Sequence, residues 1–325
     1  MARRMKKRVK RTHDVEMTVA DYQFPGEKRV YWEGVGGLIG IFVIVVYNVT
    51  YFGVLNENTP GSPLYHNYLV PVIIAIYPIL AWLLANVITL RPRNKRLKQE
   101  GLNARVLNKN YPRLKAILAE QSRLLGMDEP EMYVLDDSTP YMYSLPGKTG
   151  KIVTTSAMIG ALHDDEVAVM ISREMAHIQA RHPRMMTVIS GIRHANSIMK
   201  VLLFPITALA LFLGGWMDLA EGTADRLAAL IAGRPALINS ALVKVAVASD
   251  RESEISKREL EAYLDAGSDD LATDAHQIER HFKMGEFLNR HMSLKERIEE
   301  VRQYFRTEEG KAGLQKMTEV RQRLA

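Results

Sequence analysis

The 325-residue sequence contains no cysteine. The chain can therefore form neither a disulfide framework nor a zinc or iron–sulfur site with cysteine ligands. Any metal site would need histidine and carboxylate ligands. Internal repeats and low-complexity tracts are also absent from the sequence, which argues against a repeat protein.

Charged residues are missing from two long stretches, residues 35–55 and 68–90. Each stretch has about the 20 apolar residues that are needed to span a bilayer. The first is too long and starts too late for a cleaved signal peptide, so we expect an uncleaved membrane anchor. Aromatic residues precede it, as an interfacial belt would: Tyr22, Phe24, Tyr31 and Trp32.

Positive charge is absent between these two stretches and abundant outside them. Residues 56–67 contain no Lys or Arg, whereas seven of the first eleven residues are Lys or Arg. Five more follow the second stretch: Arg91, Arg93, Lys95, Arg96 and Lys98. The positive-inside rule predicts that the N-terminus and everything after residue 90 are cytoplasmic. This topology also explains the net charge of +6 without nucleic acid; a basic nucleic-acid binder is the weakest of the alternatives.

The rest of the chain shows a mixture of soluble and apolar segments. We predict a helix over 113–125, short strands at Glu131–Leu135 and near Ile152–Thr155, and turns between them at 138–147. Apolar runs at 201–216 and 227–247 predict a hairpin that spans or dips into the membrane; the alternative is a buried core hairpin of the soluble domain. The polar remainder, 249–325, reads as helices.

One helix carries most of a zinc-peptidase motif. The acidic run Asp164-Asp165-Glu166 suits a helix start, and the helix is expected to stop near His182-Pro183. In the motif H-E-x-x-H, two histidines at i and i+4 hold one zinc and the Glu acts as general base. Here Glu174 and His177 fill the base and second-ligand positions, but Arg173 occupies the first. Arginine is always protonated and has no lone pair for a metal.

The ordered set of segments around this helix resembles the HtpX-type membrane zinc metallopeptidases, which are related to the Oma-type and CAAX-processing peptidases. The likeness covers most of residues 35–305, and Arg251-Glu252 resembles the family's R-E, whose Glu is the third zinc ligand. The departures are Arg173, Ser256 in place of the family's Asp, and Met292 in place of a late Pro. The other stretches that carry the resemblance are 132–136, 143–147, 152–155, 164–167, 176–178, 181–182, 291–293 and Arg297-Ile298.

The resemblance implies that His177 and Glu252 are the remaining zinc-ligand positions, which we expect to be empty, and that Glu174 is an inactive base. We hypothesise that the Arg173 guanidinium occupies the vacated zinc site and forms an ion pair with Glu252, with Glu174 as a candidate second partner. Further cleft candidates are His182, Ser256, His291 and Arg297. A histidine recruited as third ligand is less favoured, because His182 is five residues from His177 and off its helix face.

We therefore expect a mainly α-helical integral membrane protein with four apolar segments, two before and two after the motif helix. A cytoplasmic α+β zincin-like domain with a small sheet would complete it. The expected divisions are a basic tail and interfacial segment (1–34), a transmembrane hairpin (35–90), the first part of a peptidase-like domain (91–199), a second membrane hairpin (200–248) and a helical C-terminal part (249–325).

The favoured function is that of a peptidase homologue without catalysis, acting as a scaffold, a regulator or a subunit of a membrane protein complex. The alternative is an active zinc-dependent membrane endopeptidase with an atypical ligand set. The first needs no cofactor and the second needs zinc. Expected partners are the lipid bilayer and other membrane proteins, as subunits or clients, with no nucleic acid. The expected location is the bacterial inner membrane.

Overall fold

The computed structural model describes residues 17–51, 69–100, 109–249 and 294–324. Two long helices come first, α1 (Glu27–Asn48) and α2 (Leu69–Gln99). Both are long and apolar enough to cross a membrane, and most of their large apolar side chains are exposed. An exposed apolar helix surface of this length is stable in lipid rather than in water. The two predicted N-terminal apolar segments are thus present as helices.

A three-stranded sheet follows, formed by β1 (Glu131–Leu135), β2 (Met142–Leu145) and β3 (Lys151–Thr155). The strand order is β1-β3-β2, with β1 and β3 parallel and β2 antiparallel to β3. The positions of β1 and β3 match the sequence prediction. The turn-rich prediction for 138–147 missed β2, which forms because its backbone pairs with β3 and not because of its own pattern.

The motif lies on α5 (Asp164–Gln179), which is preceded by α3 (Pro112–Leu124) and α4 (Ser156–Ala161). Its start is capped by Glu166, whose Oε2 accepts a 2.9 Å hydrogen bond from the backbone N–H of His163. The helix ends three residues before His182. A left-handed residue, Arg181 at φ 63°, turns the chain into the next helix.

The second half of the structure surrounds α5. It consists of α6 (Pro183–Arg193), α7 (Ser197–Leu202), α8 (Phe204–Phe212), α9 (Gly214–Ala232), α10 (Pro235–Ser249), α11 (Leu294–Arg306) and α12 (Glu308–Leu324). The motif helix is buried between α3, α9, α10 and the sheet. This packing puts polar side chains of several elements into one interior.

The predicted membrane hairpin at 200–248 has two different environments in the structure. Helix α8 packs against α1 and α2 and meets α9 at a bend of 56°. Helices α9 and α10 pack against α5 instead. Lys244 of α10 carries a charge that would be costly in hydrocarbon. Its side chain faces protein instead and pairs with Glu166 at 3.0 Å. The proposed division of the chain into membrane and peptidase-like parts stays a prediction.

Candidate functional site

Arg173 sits inside the protein with its guanidinium group held by acidic side chains. The residue is 8% exposed. Its Nη1 donates to Oε1 of Glu174 at 2.8 Å, and its Nε donates to Oδ1 of Asp225 at 3.0 Å. Its Nη2 also forms an ion pair with Glu221 of α9. A guanidinium with this many charge-assisted hydrogen bonds is a fixed structural charge rather than a mobile one.

Asp225 binds a second arginine and so extends the cluster to α11. Nε and Nη2 of Arg297 donate to the two oxygens of Asp225, both at 2.7 Å. This is the paired geometry in which an arginine binds a carboxylate most strongly. Asp225 is 1% exposed, so its charge has lost its water and depends on both arginines. The cluster joins α5, α9 and α11.

Glu174, at the general-base position, is buried and faces the same cleft as Arg173. Burial raises the pKa of Glu174; the charge of Arg173 and a hydrogen bond from Ser144 of β2 act in the opposite direction. Because one of its oxygens accepts from Arg173, the carboxylate is committed to an ion pair.

His177 belongs to a second buried chain of hydrogen bonds. Its Nδ1 lies 3.0 Å from Nδ1 of His182, and Nε2 of His182 lies 2.8 Å from Oε1 of Glu27. Burial, followed by the charge of Arg173, holds the pKa of His177 well below its usual value, so the ring is neutral. Both hydrogen bonds form when Nδ1–H of His177 donates to Nδ1 of His182 and Nε2–H of His182 donates to Glu27. This arrangement leaves Nε2 of His177 unprotonated, 3.9 Å from Oε1 of Glu221.

At the other end of this hydrogen-bonded series, Glu27 holds α1 against the protein interior. Thr223 of α9 donates to Oε2 of Glu27 and accepts a 2.8 Å hydrogen bond from the backbone N–H of Phe24. The His182 ring also stands edge-on to Trp216, with ring centres 5.5 Å apart. Glu27, the first residue of a candidate membrane span, is therefore linked to His177 through the side chain of His182.

A cleft opens beside these groups. Its volume is about 570 Å³, and its lining includes Arg173, Glu174, His177 and Glu221. Tyr143 and Ser144 of β2 form part of its wall. Since β2 is an edge strand in the described sheet, backbone groups of a strand edge lie next to the cleft. The site thus combines a filled polar centre with an accessible space.

The part of the chain that forms this site matches a known protein family. The model of peptidase family M48 matches residues 108–305, which is more than half of the chain. The chain belongs to peptidase family M48. The match begins before the sheet and ends within α11, so it includes every helix that supplies a residue to the Arg173 cluster.

Two curated members of related sequence show how far the likeness extends. The chain is 28% identical to a "Protease HtpX homolog" of Acidiphilium cryptum over 148 residues, which cover 44% of this chain and 48% of that protein. It is 26% identical to the "Plastoglobule-localized metallopeptidase 48, chloroplastic" of Arabidopsis thaliana over 160 residues, 46% of this chain and 44% of that protein. The chain spans about half the length of the curated relatives it matches. No solved structure matches it.

The zinc expected of an M48 peptidase does not fit the described residues of this site. The first-ligand position holds a guanidinium that is already bonded to Glu174 and Asp225. Among the residues that the structure describes, no three His, Asp or Glu side chains are grouped for a metal ion. His177 offers one ring nitrogen, whereas a catalytic zinc takes three protein ligands and an open position. The carboxylates around Arg173 accept hydrogen bonds, and a guanidinium group supplies the N–H donors that a metal ion lacks.

The residues named from the sequence divide into two groups. The structure brings Arg173, Glu174, His177, His182 and Arg297 into one region. The remaining named residues, Glu252, Ser256 and His291, lie outside the described residues, and the pairing of Arg173 with Glu252 stays a prediction.

Sequence reasoning missed three carboxylates of this region: Glu27, Glu221 and Asp225. Glu221 and Asp225 lie in the acidic connection between the predicted apolar runs 201–216 and 227–247. A signal was nevertheless present, because these two residues are four apart and therefore on one face of a largely apolar helix. Acidic side chains on such a face need a buried partner. Glu27 gave no comparable signal, since it precedes the apolar stretch and resembles a surface residue.

Proposed function

We propose that this M48 family member has lost zinc catalysis and acts by binding, as a scaffold, a regulator or a subunit of a membrane protein complex. One observation carries the proposal: the buried Arg173 guanidinium is bonded to Glu174, Glu221 and Asp225 at the position of a zinc ligand. The arginine fills the place where the metal would have to be bound.

Electrostatics oppose zinc at this position. Two unit charges about 4 Å apart interact by roughly 4 kcal/mol at an effective dielectric constant of about 20, and zinc carries two charges. Arg173 cannot relieve the repulsion by losing its proton. The ion pairs of Arg173 with Asp225 and Glu221 support the hypothesis from the sequence that an ion pair replaces the metal.

The ion-pair cluster would take over the structural task of a metal. A bound zinc ties together the elements that supply its ligands. In this chain, Asp225 on α9 accepts from Arg173 on α5 and from Arg297 on α11. The cluster maintains the shape of the cleft, and zinc-dependent peptide hydrolysis does not take place there.

The preserved cleft supports a binding role. Within the described sheet, β2 pairs with β3 on one side only, and its Tyr143 and Ser144 reach the cleft. An extended peptide can add to such an edge through its backbone. An extended segment of a membrane protein, as client or partner subunit, suits a cleft that lies between a strand edge and membrane helices.

We also propose how the protein is oriented in the membrane. We place the protein in a bacterial inner membrane, with the N-terminus and the peptidase-like domain in the cytoplasm, as the charge distribution favours. For residues 200–248 we propose that α7 and α8 enter the bilayer and that the chain turns back at the 56° bend into α9. Support comes from exposed apolar side chains that continue the surface of α1 and α2: Ile198, Val201, Leu202, Phe204, Leu211 and Phe212.

Metal analysis of the full-length protein tests the proposal. The protein is purified in neutral detergent with zinc in all buffers and compared with a His177→Ala variant. We expect the zinc content to be far below one ion per chain and to be the same in both proteins. The matched third sample is Arg173→His, which restores two histidines four residues apart; its zinc content should rise, because the repulsive charge is gone and a ligand is gained.

A contrary result would identify the second candidate function. Stoichiometric zinc in the unaltered protein, lost in His177→Ala, would establish an active zinc endopeptidase that uses His177 and Glu252 with another ligand. A fluorogenic casein assay should then show cleavage that Glu174→Gln abolishes. Without zinc, the same assay should give equal background rates for the unaltered protein and for Glu174→Gln.

A further inference from the structure

Two arginines at the membrane-facing end of the cleft have no part in the Arg173 cluster. Arg93 lies near the end of α2 and Arg193 is the last residue of α6, and both line the same 570 Å³ cavity. Nη1 of Arg93 donates to the backbone carbonyl of Thr187 at 2.9 Å. This carbonyl is neutral, so the bond orients the guanidinium without balancing its charge.

Arg193 is in an unusual state for a guanidinium group. Its Nη1 is enclosed and has no hydrogen-bond partner within the described ranges. Burial lowers the pKa of Arg193, and the charge of Asp218 acts in the opposite direction. An enclosed N–H without an acceptor costs free energy comparable to a lost hydrogen bond. Because Nη1 itself is enclosed by protein, an anion in the cavity would contact the other nitrogens of this guanidinium group and offset its charge.

The other charges of the cavity are already matched. Arg173 is bonded to Glu174 and Glu221, as described above. Arg96 bonds Glu100 at 2.7 Å and approaches Asp137 at 4.0 Å. Asp218 offsets part of the charge of Arg193, and the two arginines together still leave an excess of positive charge at this end of the cavity.

This positive end lies at the border of the apolar surface. Arg93 follows the apolar part of the candidate span Val70–Gln99. On the other side, Arg193 is followed within a few residues by α7 and α8, whose Ile198 and Val201 are 79% and 74% exposed. Lipid phosphates lie at the depth where a helix changes from apolar to basic.

We propose that Arg93 and Arg193 bind the phosphate group of an anionic phospholipid at the mouth of the cleft. Guanidinium groups bind phosphate oxygens through charge-assisted N–H bonds, and these two side chains line the same cavity. The acyl chains would lie along the exposed apolar side of α7 and α8. The bound lipid would form part of the wall of the cleft. The site does not depend on whether the cleft binds zinc, and the metal analysis above neither supports nor weakens it.

Native mass spectrometry of the full-length protein in neutral detergent, titrated with phosphatidylglycerol, tests the site. The double variant Arg93→Gln with Arg193→Gln should raise the Kd for this lipid by about tenfold or more, as expected for the loss of charge-assisted hydrogen bonds. The matched control is Arg91→Gln with Lys95→Gln, which removes two exposed charges from the same end of α2 outside the cavity. Its Kd should change by less than about twofold.

Control ligands distinguish a lipid phosphate from other anions. A hydrogen-exchange measurement on the unaltered protein avoids the risk that a variant misfolds. Zwitterionic phosphatidylcholine and inorganic phosphate should both bind much more weakly than phosphatidylglycerol. In the unaltered protein, phosphatidylglycerol should slow hydrogen exchange at residues 187–195, a result that needs no variant. Equal weakening by the two double variants would overturn the proposal. So would Arg-dependent binding of inorganic phosphate, or of a peptide carboxylate, without binding of the lipid, and so would unchanged exchange at 187–195.

Discussion

Nε of Arg173 lies 3.0 Å from Oδ1 of Asp225, which joins the motif helix to α9 at the first-ligand position of a zinc motif. Both residues are nearly buried, and Asp225 is shared with Arg297. A buried carboxylate between two guanidinium groups is stable only as a complete set, because removal of one member leaves an uncompensated charge away from water. The same dependence applies to the other buried carboxylates of this interior, Glu27 and Glu166.

Replacing Arg173 by Ala should lower the free energy of unfolding by about 3–5 kcal/mol, the usual cost of breaking a buried ion pair. Glu174, Glu221 and Asp225 would each lose a partner. Unfolding in detergent, followed by intrinsic fluorescence, measures the effect. The control is Arg184→Ala, an exposed arginine of α6, which should change stability by less than about 0.5 kcal/mol. Unchanged stability of Arg173→Ala would falsify the replacement of the metal by the arginine.

Replacing Arg297 by Gln should release α11 from the cluster while α5 stays bound through Arg173. We expect hydrogen exchange in α11 to become much faster and exchange in α5 to change less. In a double-mutant cycle with Asp225→Asn, the coupling energy should be about 0.5–3 kcal/mol, the range for residues in one network. Arg306→Gln, at the exposed end of the same helix, is the control. If the two single effects simply add, Asp225 does not depend on Arg297.

Removal of the Glu27 carboxylate should loosen α1 from the interior. Glu27→Ala leaves His182 and Thr223 without their acceptor, so we expect a loss of about 1–3 kcal/mol. The matched control is Glu33→Ala on the same helix, since Glu33 forms only an exposed pair with Arg29. Thermal unfolding in detergent compares the two variants. Similar small effects of both would show that the buried chain contributes nothing to the docking of α1.

Stability should fall in acid partly through Glu166. Burial alone would raise the pKa of Glu166, but hydrogen bonds from Ser240, the His163 N–H and Lys244 outweigh it, so this pKa lies below its ordinary value of 4.5. The unfolded chain then binds the proton at a higher pH than the folded chain. The stability that Glu166 contributes is present above pH 4.5 and is lost as the pH falls through its folded value.

Glu166→Gln should therefore flatten the pH dependence of stability below about pH 5 while retaining an acceptor for the cap. The unfolding midpoint at a series of pH values measures this. Asp164→Asn, an exposed change in the first turn of the same helix, should leave the slope nearly as it was. An unaltered slope in Glu166→Gln would mean that other carboxylates account for the acid sensitivity.

Much of the framework was predictable because it depends on local pattern. The apolar stretches predicted α1 and α2, a short run of strand-forming residues predicted β1, and the acidic run Asp164-Asp165-Glu166 predicted the start of α5. The strand β2 was not predictable, since its four residues become a strand only by pairing with β3. The positions of α9 and α10 against α5 were equally hidden, because an apolar run looks the same whether it is covered by lipid or by protein.

The amino-acid sequence by itself determined the central chemical fact of this protein. Arg173 stands where a zinc ligand is expected, and a guanidinium cannot bind a metal in any fold. Only the tertiary structure decided what the arginine does instead. Its partner Asp225 is 52 residues away along the chain, and the two meet because apolar faces of α5 and α9 pack together. Burial in that interface makes each charge dependent on the other. The spacing of Glu221 and Asp225 indicates that they need a buried partner, but no local pattern identifies Arg173 as that partner.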